Sequence, residues 1–172
     1  MHKKKYKFVR WSDGHTSPER TINVTSDTQL TAIYEKEGIL SLFKGKIGEY
    51  KAIGELLKRT LDVYIPIVDV RGIDCLVRLQ TGKFIEVQVK TRGSHKQGKE
   101  NFDIKSFEPR DDYFIICYRG DLDTFWVLPS SIFKKHSSTI KDGRLRLRLN
   151  AKKQEQLKQY ENNWELIFTA GN

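Results

Sequence analysis

Gly72-Ile73-Asp74-Cys75-Leu76-Val77-Arg78-Leu79-Gln80-Thr81-Gly82-Lys83-Phe84-Ile85-Glu86-Val87-Gln88-Val89-Lys90-Thr91 is the stretch from which the rest of the chain is read. In its second half Ile85, Val87 and Val89 alternate with Glu86, Gln88 and Lys90, so a strand here has one apolar face and one polar face. Whether Asp74 joins the polar face depends on hairpin register, because directly opposed residues of an antiparallel pair point the same way. A two-residue turn at Thr81-Gly82 opposes Asp74 to Val89 and aims the carboxylate at the apolar side. A three-residue loop, Gln80-Thr81-Gly82, with glycine in the left-handed conformation such loops favour, opposes Leu79 to Lys83 and Asp74 to Gln88. That register also matches Ile73 with Val89, Cys75 with Val87 and Val77 with Ile85. It leaves one face wholly apolar and gathers Asp74, Glu86, Gln88 and Lys90 on the other, and it is the register expected.

Upstream, Leu40 to Arg59 is helical in pattern, with Ile47, Tyr50, Ile53, Leu56 and Leu57 recurring at steps of three and four. Glu49 borders this stripe, with Ala52, Ile53 and Leu56 three, four and seven residues on. Glu55 instead has Lys51 and Arg59 four residues either side and can pair in solvent. Glu49 is therefore the acid directed inward, against the simpler possibility of a residue at the stripe's edge. Val63 to Val68, Ile73 to Leu79 and Phe84 to Thr91 are strand-like, punctuated by Gly72 and Gly82. Further on, Tyr113 to Tyr118 and Thr124 to Leu128 form a second hairpin around Arg119-Gly120-Asp121, and Pro129-Ser130-Ser131 opens a short helix. Ala151 to Tyr160 is expected to be a polar surface helix and Trp164 to Phe168 a last strand.

A helix bearing a glutamate, an aspartate at the start of a strand, and an acid-x-lysine on the paired strand resemble the PD-(D/E)XK nuclease superfamily, over roughly residues 45 to 91. Val87-Gln88-Val89-Lys90-Thr91 is similar to the glutamine variant of that motif in intron-encoded homing endonucleases. The resemblance implies a restriction-endonuclease-like α/β fold, a mixed sheet flanked by helices. It also implies that Asp74 and Gln88 hold a metal with the carbonyl of Val89, that Lys90 orients the attacking water, and that Glu49 completes the site. Chemistry agrees with these residue types: magnesium takes oxygen ligands and keeps several waters, and a bound divalent ion activates water and offsets phosphate charge. A neutral Gln88 makes the shell less anionic, so Glu86 stands in reserve as a further acid. The expected activity is magnesium- or manganese-dependent hydrolysis of phosphodiester bonds in DNA. Self-association as a homodimer or higher oligomer is implied by the resemblance, since cutting a duplex needs two sites. Two other readings stay open: a DNA-binding module of the same fold without catalysis, for which Gln88 is the argument, and an RNA-directed nuclease.

The charge balance points the same way. Thirty-one Lys and Arg against 22 Asp and Glu give +9 in 172 residues, a field that attracts polyanions, although a membrane surface or an acidic partner would be drawn by it too. Arg92, Lys96 and Lys99 lie in a loop next to the polar strand with no acid before Glu100, either to grip the DNA backbone or as a mobile loop without a role. Arg144, Arg146 and Arg148 alternate with Leu145, Leu147 and Leu149, which places three guanidiniums on one strand face. This strip is either a phosphate contact or the solvated face of an edge strand. The four histidines show no ligand spacing, and neither a Gly-rich nucleotide loop nor a nucleophile elbow occurs, so no small-molecule cofactor is expected. Cys75 and Cys117 sit singly in apolar runs, as buried free thiols do. No run approaches the roughly 18 apolar residues of a membrane span, and no apolar stretch follows Met1-His2-Lys3-Lys4-Lys5 as in a secretory signal. A soluble, cytoplasmic protein is expected.

Residues 3 to 36 have three short strand-like runs, Lys5 to Trp11, Thr21 to Thr25 and Gln29 to Tyr34, with a turn at Asp13-Gly14. The spacing of Trp11, Asp13-Gly14, Arg20, Val24, Asp27, Leu30-Thr31-Ala32 and Tyr34 resembles the closing part of a bacterial β-repeat module of surface proteins. The expected organisation is a small β extension, residues 1–36, before a nuclease-like domain, residues 37–172.

Overall fold

A computed structural model describes residues 6–36, 39–68, 72–93 and 101–170, divided into two units, Met1–Phe43 and Lys44–Asn172. In the first unit β1 (Tyr6–Trp11) and β2 (Ala32–Lys36) pair antiparallel, with Phe8 packed edge-on against Tyr34 at 5.7 Å. The strand expected at Thr21 to Thr25 is absent. Its Ile22 and Val24 are exposed, so their alternation meets no core. The segment is tied instead by polar contacts, among them Asp13 to Arg20 at 2.7 Å and the Trp11 indole donating to the Ser17 carbonyl at 2.9 Å.

Helix α1 (Ile39–Leu57) precedes a five-stranded mixed sheet. Its strands are β3 (Asp62–Tyr64), β4 (Cys75–Arg78), β5 (Phe84–Arg92), β7 (Tyr113–Arg119) and β8 (Thr124–Pro129), side by side in that order. β5 and β7 run parallel and every other pair antiparallel. A separate antiparallel sheet is built from β6 (Asn101–Ile104), β10 (Leu145–Arg148) and β9 (Ser138–Thr139). The short helices α2 (Ser130–His136), α3 (Ala151–Gln156) and α4 (Glu165–Thr169) complete the unit. No helix of the described residues is long and apolar enough to cross a membrane.

Strand alternation sorts the apolar side chains into two cores, one on each face of the large sheet. Cys75, Val77, Ile85, Val87 and Val89 pack with Ala52, Ile53 and Leu56 of α1 and with Trp164 and Ile167. On the opposite face Tyr113, Ile115, Cys117, Trp126 and Leu128 pack against Phe102, Leu145 and Leu147 of the smaller sheet and Phe133 of α2.

Three expectations are corrected. The buried seam of α1 is Gly48, Ala52, Ile53 and Leu56, whereas Ile47, Tyr50 and Leu57 are exposed. The seam begins at a glycine because the helix lies close on the sheet there: a Cβ at Gly48 would overlap the hydroxyl of Thr91. Trp164 to Phe168 is helix rather than strand, since the buried positions Trp164 and Ile167 are three apart, a helical spacing. The polar helix from Ala151 ends at Gln156, and Lys158–Tyr160 is a separate 3-10 turn, because Leu157 between them is drawn into the core.

Candidate active site

The β4–β5 hairpin has the register of the three-residue loop. Cys75 stands opposite Val87, Val77 opposite Ile85, and Leu79 donates to the Lys83 carbonyl at 2.8 Å. Gly82, at φ +82°, takes the left-handed position. The paired register ends at Cys75 opposite Val87, and the expected match of Ile73 with Val89 fails, for Ile73 packs against the core on the opposite face of the sheet from Val89. The main-chain ladder ends here, where Asp74 N–H donates to the Val87 carbonyl at 2.9 Å. Beyond it the Asp74 side chain takes over, with Oδ2 accepting the Val89 N–H at 2.7 Å. In an extended strand the N–H and C=O of one residue point to the same side, so the Val89 carbonyl is aimed at the edge where Asp74 sits.

Glu49 reaches this edge from α1. With Asp74 it lines a cleft of about 180 Å³ that also includes Lys46, Tyr50, Ile65 and Ile73. Both acids act on the groups around them. Burial, and after it the charges of Asp74 and Glu49, push the Cys75 thiol up to about 12. Lys46 is raised by its hydrogen bond to Glu49 at 2.5 Å, with Asp74 adding to it. Glu55 makes the solvent pairs expected of it, though with Lys58 and Arg59, because Lys51 turns to Asp123 and the Tyr118 hydroxyl.

Gln88 and Lys90 line a second cleft, of about 390 Å³, together with Gly72, Asp103, Lys105, Tyr113 and Arg144. Asp74 and Gln88 thus line different clefts, Asp74 with Glu49 and Gln88 with Lys90. Gln88 is 5% exposed, and its Oε1 accepts the Tyr113 hydroxyl at 2.8 Å. A neutral amide is suited to such burial, where an ionised carboxylate would lose most of its hydration. Gly72, at φ +75°, lies so close that a Cβ there would come within 2.5 Å of Gln88 Nε2. Glu86, the reserve acid, is held by the Arg110 guanidinium, and Arg110 also lies 5.4 Å from the centre of the Tyr113 ring.

A sequence profile described as PD-(D/E)XK endonuclease matches residues 42–167. The chain belongs to this family. A solved structure of a bacterial homing endonuclease, I-Ssp6803I, is similar to this PD-(D/E)XK endonuclease in fold, with a TM-score of 0.56 and 23% identity over 76% of this chain and 95% of that one. No curated protein matches its sequence.

Four groups of this endonuclease are of the kind a hard cation takes, although Asp74 and Glu49 line one cleft and Gln88 the other. They are all oxygen: the Asp74 carboxylate, the Gln88 amide oxygen, the Val89 carbonyl and, across the first cleft, Glu49. Among the described residues no three His, Cys, Asp or Glu side chains gather as a metal cluster, so the set relies on an amide and a main-chain carbonyl beside its acids.

The basic residues divide by their partners. Arg146 makes a two-pronged contact to Asp103 at 2.7 Å for each prong, and Arg144 pairs with Asp142 at 2.6 Å. Arg148 is exposed and meets the Asn101 side-chain oxygen at 3.4 Å, while Arg92 donates to the Asn101 carbonyl at 2.6 Å. Lys96 and Lys99, and with them His95, lie outside the described residues. Tyr113, Lys105, Asp103 and Arg110 went unnoticed in the sequence as neighbours of the site. The parallel pairing of β5 with β7 that brings Tyr113 to Gln88 is non-local and leaves no spacing signal.

Proposed function

We propose that this endonuclease acts on DNA and depends on magnesium or manganese. The observation that supports the reading is the Asp74 carboxylate held on the Val89 N–H beside Glu49 of α1, with Gln88 and Lys90 of the same strand, β5, lining a second cleft. A divalent ion held by Asp74, Gln88 Oε1 and the Val89 carbonyl, with Glu49 completing the set, would supply charge that activates water and offsets that of the phosphate. Lys90 orients the attacking water and stabilises negative charge developing on the phosphate. Lys105, Arg144, Arg148 and Arg92 bind the backbone of the substrate. The structural relative is by name a homing endonuclease, which favours DNA as the polymer cut.

The test is to incubate plasmid and branched DNA with wild type and Lys90→Ala, with and without magnesium. Wild type is expected to nick only with the ion. Lys90→Ala should lose on the order of a hundredfold or more in rate while binding DNA nearly as well, because a positioned electrostatic group is lost but only one of many phosphate contacts. Equal turnover of the two proteins would refute the role of Lys90. A second reading, a DNA-binding module without catalysis, draws on the contacts already made by Glu49 with Lys46 and by Gln88 with Tyr113. DNA binding without nicking under any divalent ion decides for it.

A further inference from the structure

We infer that the rim of the acid cleft packs on DNA bases that have lost a stacking neighbour, so that the substrate class is DNA opened beside the cut, as at a bulge, mismatch or branch. This rests on the reading of the Asp74 and Glu49 cleft as the place where DNA is cut. By composition Ile65-Pro66-Ile67-Val68 belongs inside a sheet, and the sequence pattern carries a strand from Val63 through it. The strand ends instead at Tyr64, since Pro66 has no N–H to give to a ladder. The four residues that follow take no place in either core. All are exposed, Ile67 completely. Ile65, Pro66 and Ile67 line the 180 Å³ cleft of Asp74 and Glu49, and Tyr50 of α1, 64% exposed, joins them there. A lone exposed isoleucine needs no explanation, but several apolar side chains together at the mouth of a polar cleft mark a surface of interaction.

Position decides between a nucleic acid and a second protein as the occupant. A protein seated on this rim would roof the two acids, which a phosphate has to reach, whereas a DNA strand entering the cleft brings its bases to the rim. The surplus of +9 favours the polyanion, and Lys46, its side chain 64% exposed, stands at the same cleft among the apolar residues. In an intact duplex each base face is covered by its neighbours. An apolar side chain meets a face only where a step is open: aliphatic side chains and proline act there as wedges, and an aromatic ring as a platform for one base. Ile67 has the first character and Tyr50 the second. DNA already open at such a step needs no unstacking and is bound more tightly than closed duplex.

The test measures binding of the full-length protein, without divalent ions, to two duplexes of equal length, one intact and one with a single unpaired base. Wild type should bind the bulged duplex on the order of tenfold more tightly. Ile67→Ser and Tyr50→Ala should each weaken that binding roughly tenfold, the scale of one lost base contact, and leave the intact duplex nearly as before. The slope of log affinity against log salt should stay the same, because no phosphate contact is lost. Both positions are exposed, so the three proteins should melt alike. If both variants keep the wild-type ratio of the two affinities, or if wild type binds the two duplexes equally, the inference is overturned and the DNA reading stands. If sedimentation shows wild type self-associated and Ile67→Ser monomeric, with the ratio unchanged, the rim is an interface between copies and the inference is likewise overturned. If wild type binds neither duplex, the reading of the cleft fails, and the inference with it.

Discussion

Asp74 does two jobs that a mutation can separate. Its carboxylate accepts the Val89 N–H at 2.7 Å where the hairpin ladder has run out, and it brings negative charge to the cleft it shares with Glu49. Asp74→Asn keeps a side-chain oxygen for that N–H and removes the charge, whereas Asp74→Ala removes both. Both variants should lose divalent-ion binding and nicking. Only Asp74→Ala should also lose stability, by about 1–3 kcal/mol, the usual cost of a main-chain donor deprived of its partner. Urea melts alongside calorimetry distinguish the two effects. Equal stability of the two variants would show that the hydrogen bond to Val89 contributes nothing to the fold.

At the level of elements, the position of Glu49 depends on how closely α1 lies on β5. Gly48 has no room for a side chain, because Thr91 fills the space a Cβ would take. Gly→Ala inside a helix ordinarily stabilises by about 1 kcal/mol. Here Gly48→Ala should destabilise, by about 1–3 kcal/mol as overpacking does, and should lower nicking by moving Glu49. Thr91→Gly added to it should recover part of the loss, so the double-mutant cycle is expected to be strongly non-additive in thermal melts. A Gly48→Ala protein more stable than wild type would rule out the tight contact. The same contact explains what could and could not be read from sequence. The β4–β5 hairpin was legible as far as Cys75 opposite Val87 because turn length and alternation are local, whereas the break at Asp74, whose N–H goes to the Val87 carbonyl, and the place of Ile73 in the opposite core from Val89 depend on the rest of the fold. The inward direction of Glu49 was legible from the residues that follow it, yet the stripe was drawn through Ile47 and Tyr50. Ile53 and Leu56 of the stripe are buried as expected, but Gly48 carries no hydrophobic signal, and the reason for its place in the seam is a threonine 43 positions away. Tyr113 and β6 were missed for a related cause. Both reach the site through pairings between distant segments, which periodicity within either one cannot reveal.

For the whole molecule, the surplus of +9 matters through which charges are available to a polyanion, and the alternating arginines are unequal in that respect. Arg146 is spent on Asp103, where its two-pronged contact joins β10 to β6, while Arg148 projects from the same strand into solvent. Arg148→Ala and Arg92→Ala should each lower the slope of log affinity for DNA against log salt by about 1, the signature of one lost phosphate contact. Arg146→Ala should leave that slope nearly unchanged and lower the melting temperature instead. The pH dependence supplies an independent check. The hydrogen bonds from Arg146, followed by the charges of Arg146, Arg144 and Arg92, hold the Asp103 carboxyl below its ordinary range against the opposing effect of burial. A carboxyl lowered on folding stabilises wherever the unfolded chain's carboxyl is ionised, above about pH 4, and that contribution is lost as pH falls through the lower, folded value. The stability gap between wild type and Arg146→Ala should therefore be full at pH 7 and close on acidification below about pH 4. A gap independent of pH, or an Arg146→Ala protein whose salt slope falls as far as that of Arg148→Ala, would mean that Arg146 faces the DNA and that Asp103 does not hold it in the free protein.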